Sequence, residues 1–272
     1  MKEELKSAFF SKRFLLAFGL MLSCFLGYSL PTWIFSADWG DEFREGALQL
    51  SVGGIFFGGS MLLLPFCAGV TYAISQVDEV RTSFLEWKAI RCSTQTYARN
   101  KIIATMLSAA AATGLAFALH ALVWNFIAYP YDLVAHPYQE IPFSAKCIYS
   151  QWTDIFYAFP IYAWMTFGIA LCAAVWSVTA LAVSVWVPDK LLTIIVPVCI
   201  YYLWSCRIFY HLFGISTPHP GALYNDALTV ERVWQSLLMY AILLVISIFV
   251  YVKGLKRRIC IISDLDMRMC LC

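Results

Sequence analysis

Residues 78–101 read DEVRTSFLEWKAIRCSTQTYARNK, the one long polar and basic island between two hydrophobic stretches of this chain. Val80, Phe84, Trp87 and Ile90 recur at spacings of four, three and three, so a helix drawn through them has one oily side and a charged remainder. Such a helix either rests on a membrane face, with Arg81, Lys88 and Arg91 among the head groups, or docks into a groove. What flanks the island decides its setting.

The flanks are membrane-like. Apolar residues make up 61% of the chain and charged ones 13%, against about 45–50% and about 25% for an ordinary soluble domain. This composition predicts an all-α integral membrane protein. A length of 272 residues accommodates six membrane-spanning helices of about 20 residues each with short connections, and leaves no room for a separate soluble domain. A net charge of +2, with the basic residues dispersed among loops, argues against a nucleic-acid partner and leaves membrane lipid as the surrounding one. Cys24, Cys67, Cys172 and Cys199 lie inside apolar runs, where they act as small hydrophobes. There is no C-x-x-C pair to suggest a structural metal.

Working outward, residues 1–13 carry Lys2, Lys6, Lys12 and Arg13 among Leu5, Phe9 and Phe10, a basic amphipathic piece suited to a membrane surface. The expected spans are about 14–35, 52–75, 102–127, 161–187, 191–213 and 233–252. The first run is uncharged and too long for a signal peptide, so it reads as a retained helix. Outer segments are expected at 36–51, 128–160 and 214–232, and the polar segment 78–101 falls inside, between spans two and three. On that layout the inner side holds fifteen of the nineteen Lys and Arg residues, which places both termini in the cytoplasm. Gly54 and Gly58 in span two, and Ala110, Gly114 and Ala118 in span three, form small-residue stripes for close helix packing. Pro65 is a candidate bend.

Polar groups inside spans are the candidate sites. His120 and Trp124 stand one turn apart, with Asn125 adjacent, and each needs a neighbouring helix or a wet cavity as partner. Arg207 and His211 stand one turn apart in span five; snorkelling to head groups and lining a transport route are both open.

The order of parts resembles the membrane subunit of an ATP-binding-cassette exporter, the ABC type-2 permease family, over essentially the whole chain. The residues that carry the resemblance are Asp78-Glu79, Thr82-Ser83, Phe84-Leu85-Glu86-Trp87, Arg91-Cys92-Ser93 and Tyr97-Ala98-Arg99-Asn100-Lys101. Two departures stand out: Thr82-Ser83 replaces the family's Gly-Thr step, and no proline precedes Arg91. The resemblance implies that residues around Arg81–Arg91 form a coupling helix seated on a separate ATPase subunit. Phe84 and Trp87 would then be its anchors, with Glu79, Arg81, Glu86 and Arg91 as polar contacts. It further implies alternating access driven by that ATPase, a second permease copy or a homologue, and ATP and Mg²⁺ held by the partner. An amphipathic or apolar cargo such as a peptide, drug or lipid fits the aromatic-rich, nearly uncharged spans. The resemblance points to a bacterial plasma membrane. No phosphate-binding loop occurs in the chain itself, so no cofactor is expected in it.

Three other classes stand beside this one. An intramembrane enzyme lacks support, because His120, His136, His211 and His219 form no H-E-x-x-H pattern. An ion-coupled secondary transporter relies on carboxylates within the membrane, and here Asp and Glu are expected in loops. A non-transporting immunity or sensor subunit fits the same architecture.

Overall fold

The computed structural model describes residues 2–37, 47–56, 60–82, 93–134, 159–205 and 230–269, and among these every regular element is helical. In chain order they are α1 (Lys2–Phe9), α2 (Lys12–Ala37), α3 (Ala47–Phe56), α4 (Ser60–Ala68), a π-helical turn (Gly69–Ala73), α5 (Ile74–Arg81), α6 (Thr94–Val134), α7 (Phe159–Trp186), α8 (Lys190–Ser205) and α9 (Val230–Met269). Among the described residues, four stretches are long and apolar enough to cross a membrane: Lys12–Phe35, Thr94–Ile127, Tyr162–Trp186 and Val233–Ile259. They correspond to the first, third, fourth and sixth expected spans. The second is helical on either side of residues 57–59, which lie outside the described residues. The fifth is the shorter α8, and residues 206–213 also lie outside.

Several boundaries differ from expectation. The segment 78–101 is not a single polar element: Asp78 to Arg81 finish α5, and Thr94 to Lys101 open α6. Apolarity marks where a helix sits in lipid, not where its hydrogen-bond ladder ends, so α6 continues past hydrophobic residues at both ends. At 41 residues it is about 60 Å long, roughly twice a hydrocarbon core. For the same reason α9 runs on to Met269 through Lys253, Lys256, Arg257 and Arg258, since Lys and Arg favour helices. Residues 1–13 split into α1 and the first turn of α2, where the Ser11 hydroxyl accepts the Phe14 N–H at 3.0 Å as a cap.

The bundle is built around α7. Of its apolar window 83% is buried, against 22% for α2 and for α9, and its most extensive packing is against α6. Small residues permit that approach: a Cβ added at Gly114 would stand 3.2 Å from the Ala170 Cβ. Around it Ala109, Ala112 and Ala116 are buried, while Ala110 and Ala118 of the expected stripe are only half-buried. The seam is rotated because α6 is clasped by α2 and α3 as well as by α7. Pro65 is absorbed within α4, and the irregularity appears four residues later as the π turn, whose Gly69 lies against Ala180 and the α8 backbone.

Candidate functional site

Two polar regions lie along α6. The first is at the basic end of the bundle, where α1, the π turn, α5, α6 and the α7–α8 turn converge. Lys101 is wholly buried there, and its ammonium donates to Glu79 Oε1 at 2.6 Å and to Ser75 Oγ at 2.7 Å. Glu4 Oε2 of α1 stands 3.9 Å away, and the Tyr72 ring lies under the ammonium at 4.3 Å. A buried cation is tolerable only with such a set of partners, because the desolvation penalty is several kcal/mol per ion, order of magnitude.

The carboxylates are themselves held. The Tyr97 hydroxyl, one turn before Lys101, faces Glu79 Oε2 at 2.5 Å and Gln76 Oε1 at 2.7 Å, two acceptors for its single proton. Tyr251 of α9 reaches the same Gln76 oxygen at 3.3 Å. Tyr72, on the π turn, donates to Glu4 and shares a 2.8 Å bond with Ser7, so α1 is fastened to the irregular turn of the second hydrophobic segment. Acidic residues therefore do not all sit in loops: Glu4 and Glu79 are helical, with side chains only 16% and 12% exposed.

A more exposed tier closes this end. Asp78 pairs with Arg13 at 2.7 Å and with Lys190 at 2.6 Å. Partial burial pushes its carboxyl up, but hydrogen bonds and charge from Lys190 and Arg13 outweigh this and hold it below the ordinary 3.8. Arg81 donates to the Pro188 carbonyl at 2.7 Å and pairs with Asp189 at 3.2 Å. Asp189 caps α8 by accepting the N–H groups of Leu191 and Leu192 at 2.9 and 3.1 Å. The Leu192 N–H first, then that of Leu191 and the Arg81 charge, lower its carboxyl below 3.8 against the opposing effect of desolvation. On α9, Arg258 turns inward and caps the last carbonyls of α7, with Nη2 3.1 Å from the Trp186 oxygen.

Of the six residues expected to contact an ATPase, Glu79 and Arg81 are described, and both are engaged within the chain. Phe84, Glu86, Trp87 and Arg91 lie outside the described residues, as do Arg207 and His211.

The second region surrounds His120, nineteen residues further along α6. Trp124 donates its indole N–H to Ser29 Oγ of α2 at 2.9 Å, and Ser29 donates to the Phe25 carbonyl at 3.0 Å. Asn125 bonds back to the Ala121 carbonyl of its own helix at 2.8 Å. His120 differs from both. Its ring is wholly buried among Phe25, Phe117 and Trp124, with centroids 5.5, 6.3 and 6.4 Å away. Neither ring nitrogen has a hydrogen-bond partner among the described residues. The Leu50 carbonyl of α3 is a weak acceptor toward the ring, short of full hydrogen-bond geometry. The ring packs on α3 where there is no side chain: a Cβ added at Gly54 would meet His120 Nε2 at 3.0 Å and the Phe25 carbonyl at 3.1 Å. Ser51, one turn before Gly54, is wholly buried, and its hydroxyl is likewise unpartnered among the described residues.

Sequence inspection alone singles out His120, Trp124 and Asn125 but passes over Ser29, Ser51, Gln76 and Tyr72, and assigns Tyr97 no contact; these complete the two regions. Tyr97 and Lys101 at i and i+4, with Gln76 and Glu79 at i and i+3, are the signal from which the first could have been found. Among the described residues no group of three or more His, Cys, Asp or Glu is placed to hold a metal ion. No protein-family model, curated protein or solved structure matches the chain.

Proposed function

We propose that this chain is the permease subunit of an ATP-binding-cassette exporter, moving an amphipathic or apolar cargo across a bacterial plasma membrane. Its six spans and cytosolic 83–92 stub would be driven by a separate ATPase. The observation that carries the proposal is the brace beneath that stub. The helix entering it, α5, and the helix leaving it, α6, are clamped to each other by Glu79–Lys101 and by Tyr97 with Gln76. Force applied to 83–92 therefore acts on both helices together, and through Asp78, Lys190 and Arg81 on α8 and its preceding turn. A lever needs this stiffness at its base; a loop that only rests on lipid does not. Phe84 and Trp87 remain the anchors, Glu86 and Arg91 the polar contacts, and Glu79 and Arg81 serve as the internal fixings of the lever rather than its rim.

The test is co-purification. Trp87→Ala and Arg91→Ala should lose an ATPase subunit bearing a phosphate-binding loop, and transport with it; full association and transport in both variants remove these residues from the joint. One observation favours the second class. Two partly buried carboxylates and one buried ammonium at the basic end are the kind of group an ion-coupled carrier uses. Transport that persists without ATP and collapses with a protonophore would select that class. An immunity or sensor subunit would keep the ATPase and move nothing.

A further inference from the structure

Hydrogen-bonding groups sealed from water without partners cost free energy, so each calls for an explanation, and one explanation is a second state in which the group is satisfied. His120 on α6 and Ser51 on α3 are such groups, on the two helices that meet in the α3–α6 contact. That contact is a close steric fit. Gly53 lets the Tyr28 ring of α2 lie on the α3 backbone, and Gly54 does the same for the His120 ring. Around them, 14–35, 47–56 and 102–127 contain no charged residue, so nothing there selects an ion.

We infer that the α3–α6 seam at His120 and Gly54 is where the bundle opens, and that the opened seam is a binding site for an uncharged, hydrogen-bonding amphipath. In the open state the imidazole offers one donor and one acceptor, the Ser51 hydroxyl a second pair, and Phe25, Phe117 and Trp124 an aromatic wall. Trp124 contributes its ring only, because its N–H is already held by Ser29. This inference deepens the transport proposal, but it is tested on the chain alone, so it can fail while ATPase association stands, and the reverse.

The experiment uses the full chain in detergent, with diethyl pyrocarbonate as the probe and peptide mass spectrometry to separate His120 from His136, His211 and His219. An opening seam gives carbethoxylation of His120 well below the unfolding temperature, accelerated several-fold by Gly54→Ala, whose Cβ wedges the ring away. Modification only upon unfolding, or an unchanged rate in Gly54→Ala, overturns the inference. Should Gly54→Ala fail to fold, His120→Leu decides: removing an unpartnered imidazole raises the melting temperature by a few degrees, whereas an unchanged or lower value overturns it. For the ligand class, indole-3-acetamide should slow His120 modification in the native chain but not in Ser51→Ala. Indole-3-acetate should protect little. Equal protection by the two, or by neither, overturns the assigned class.

Discussion

Lys101 and His120 lie on one helix, about 28 Å apart along its axis, and both are wholly buried, yet their surroundings are opposite. Lys101 carries a full charge and is met on several sides by Glu79, Ser75, Glu4 and the Tyr72 ring. His120 carries the milder polar group and is met by aromatic rings and a glycine. Burial alone therefore says little about the role of a polar residue. The partnered end resists displacement, because moving any helix there uncovers a charge. The inferred opening would let the other end gain hydrogen bonds. One helix would then join a fixed end to one that opens, as the proposed lever-driven carrier requires.

The comparison is broken most forcefully at Lys101. Lys101→Met strands Glu79 beside Glu4 and should cost about 3–5 kcal/mol, read as a large loss of thermal stability in detergent. Adding Glu79→Gln should restore much of it; a double variant no better than the single would mean that the pair is not the fixing point. Next is the α6–α7 crossing. Gly114→Ala puts a Cβ 3.2 Å from that of Ala170 and should cost about 1–3 kcal/mol through overpacking, while Ala118→Gly, at a half-buried site, should cost less. An equal response at the two positions would contradict the rotated seam.

Acid sharpens the contrast at the exposed tier. Asp78 titrates below 3.8 in the folded chain, so its stabilising contribution is complete above that value and is lost as pH falls through the depressed one. Thermal stability should be level from neutral pH down to about pH 5, then decline in strong acid, and Asp78→Asn should flatten part of that decline. An identical acid profile in the variant would show that Arg13 and Lys190 do not depend on this carboxylate. The smallest effect belongs to Arg81→Ala, whose ion pair with Asp189 is solvent-exposed and salt-screened. Its stability should scarcely change, while coupling of ATP hydrolysis to transport falls if Arg81 helps to fix the lever.

Much of the fold is legible in the sequence because lipid-length runs without charge have few alternatives: α2, α6, α7 and α9 follow directly from 14–35, 102–127, 161–187 and 233–252. What is not legible is where those helices stop, because Tyr97, Lys101, Lys253 and Arg258 mark the edge of the apolar run rather than the end of a hydrogen-bond ladder. The candidate sites divide in the same way. His120 and Trp124 are conspicuous as polar groups in an apolar run. Glu79 and Lys101 look like surface charges until the fold brings one against the other. Ser29 and Ser51 look like ordinary small residues, and only the three-dimensional packing shows that one satisfies an indole while the other meets nothing among the described residues.

The most direct test sets His120→Leu beside Lys101→Met in the same thermal-unfolding series. A fixed end and an opening end on one helix predict opposite signs: a rise of a few degrees for His120→Leu and a steep fall for Lys101→Met. A fall in both would make His120 another packed core residue and would contradict an opening seam at that end of α6.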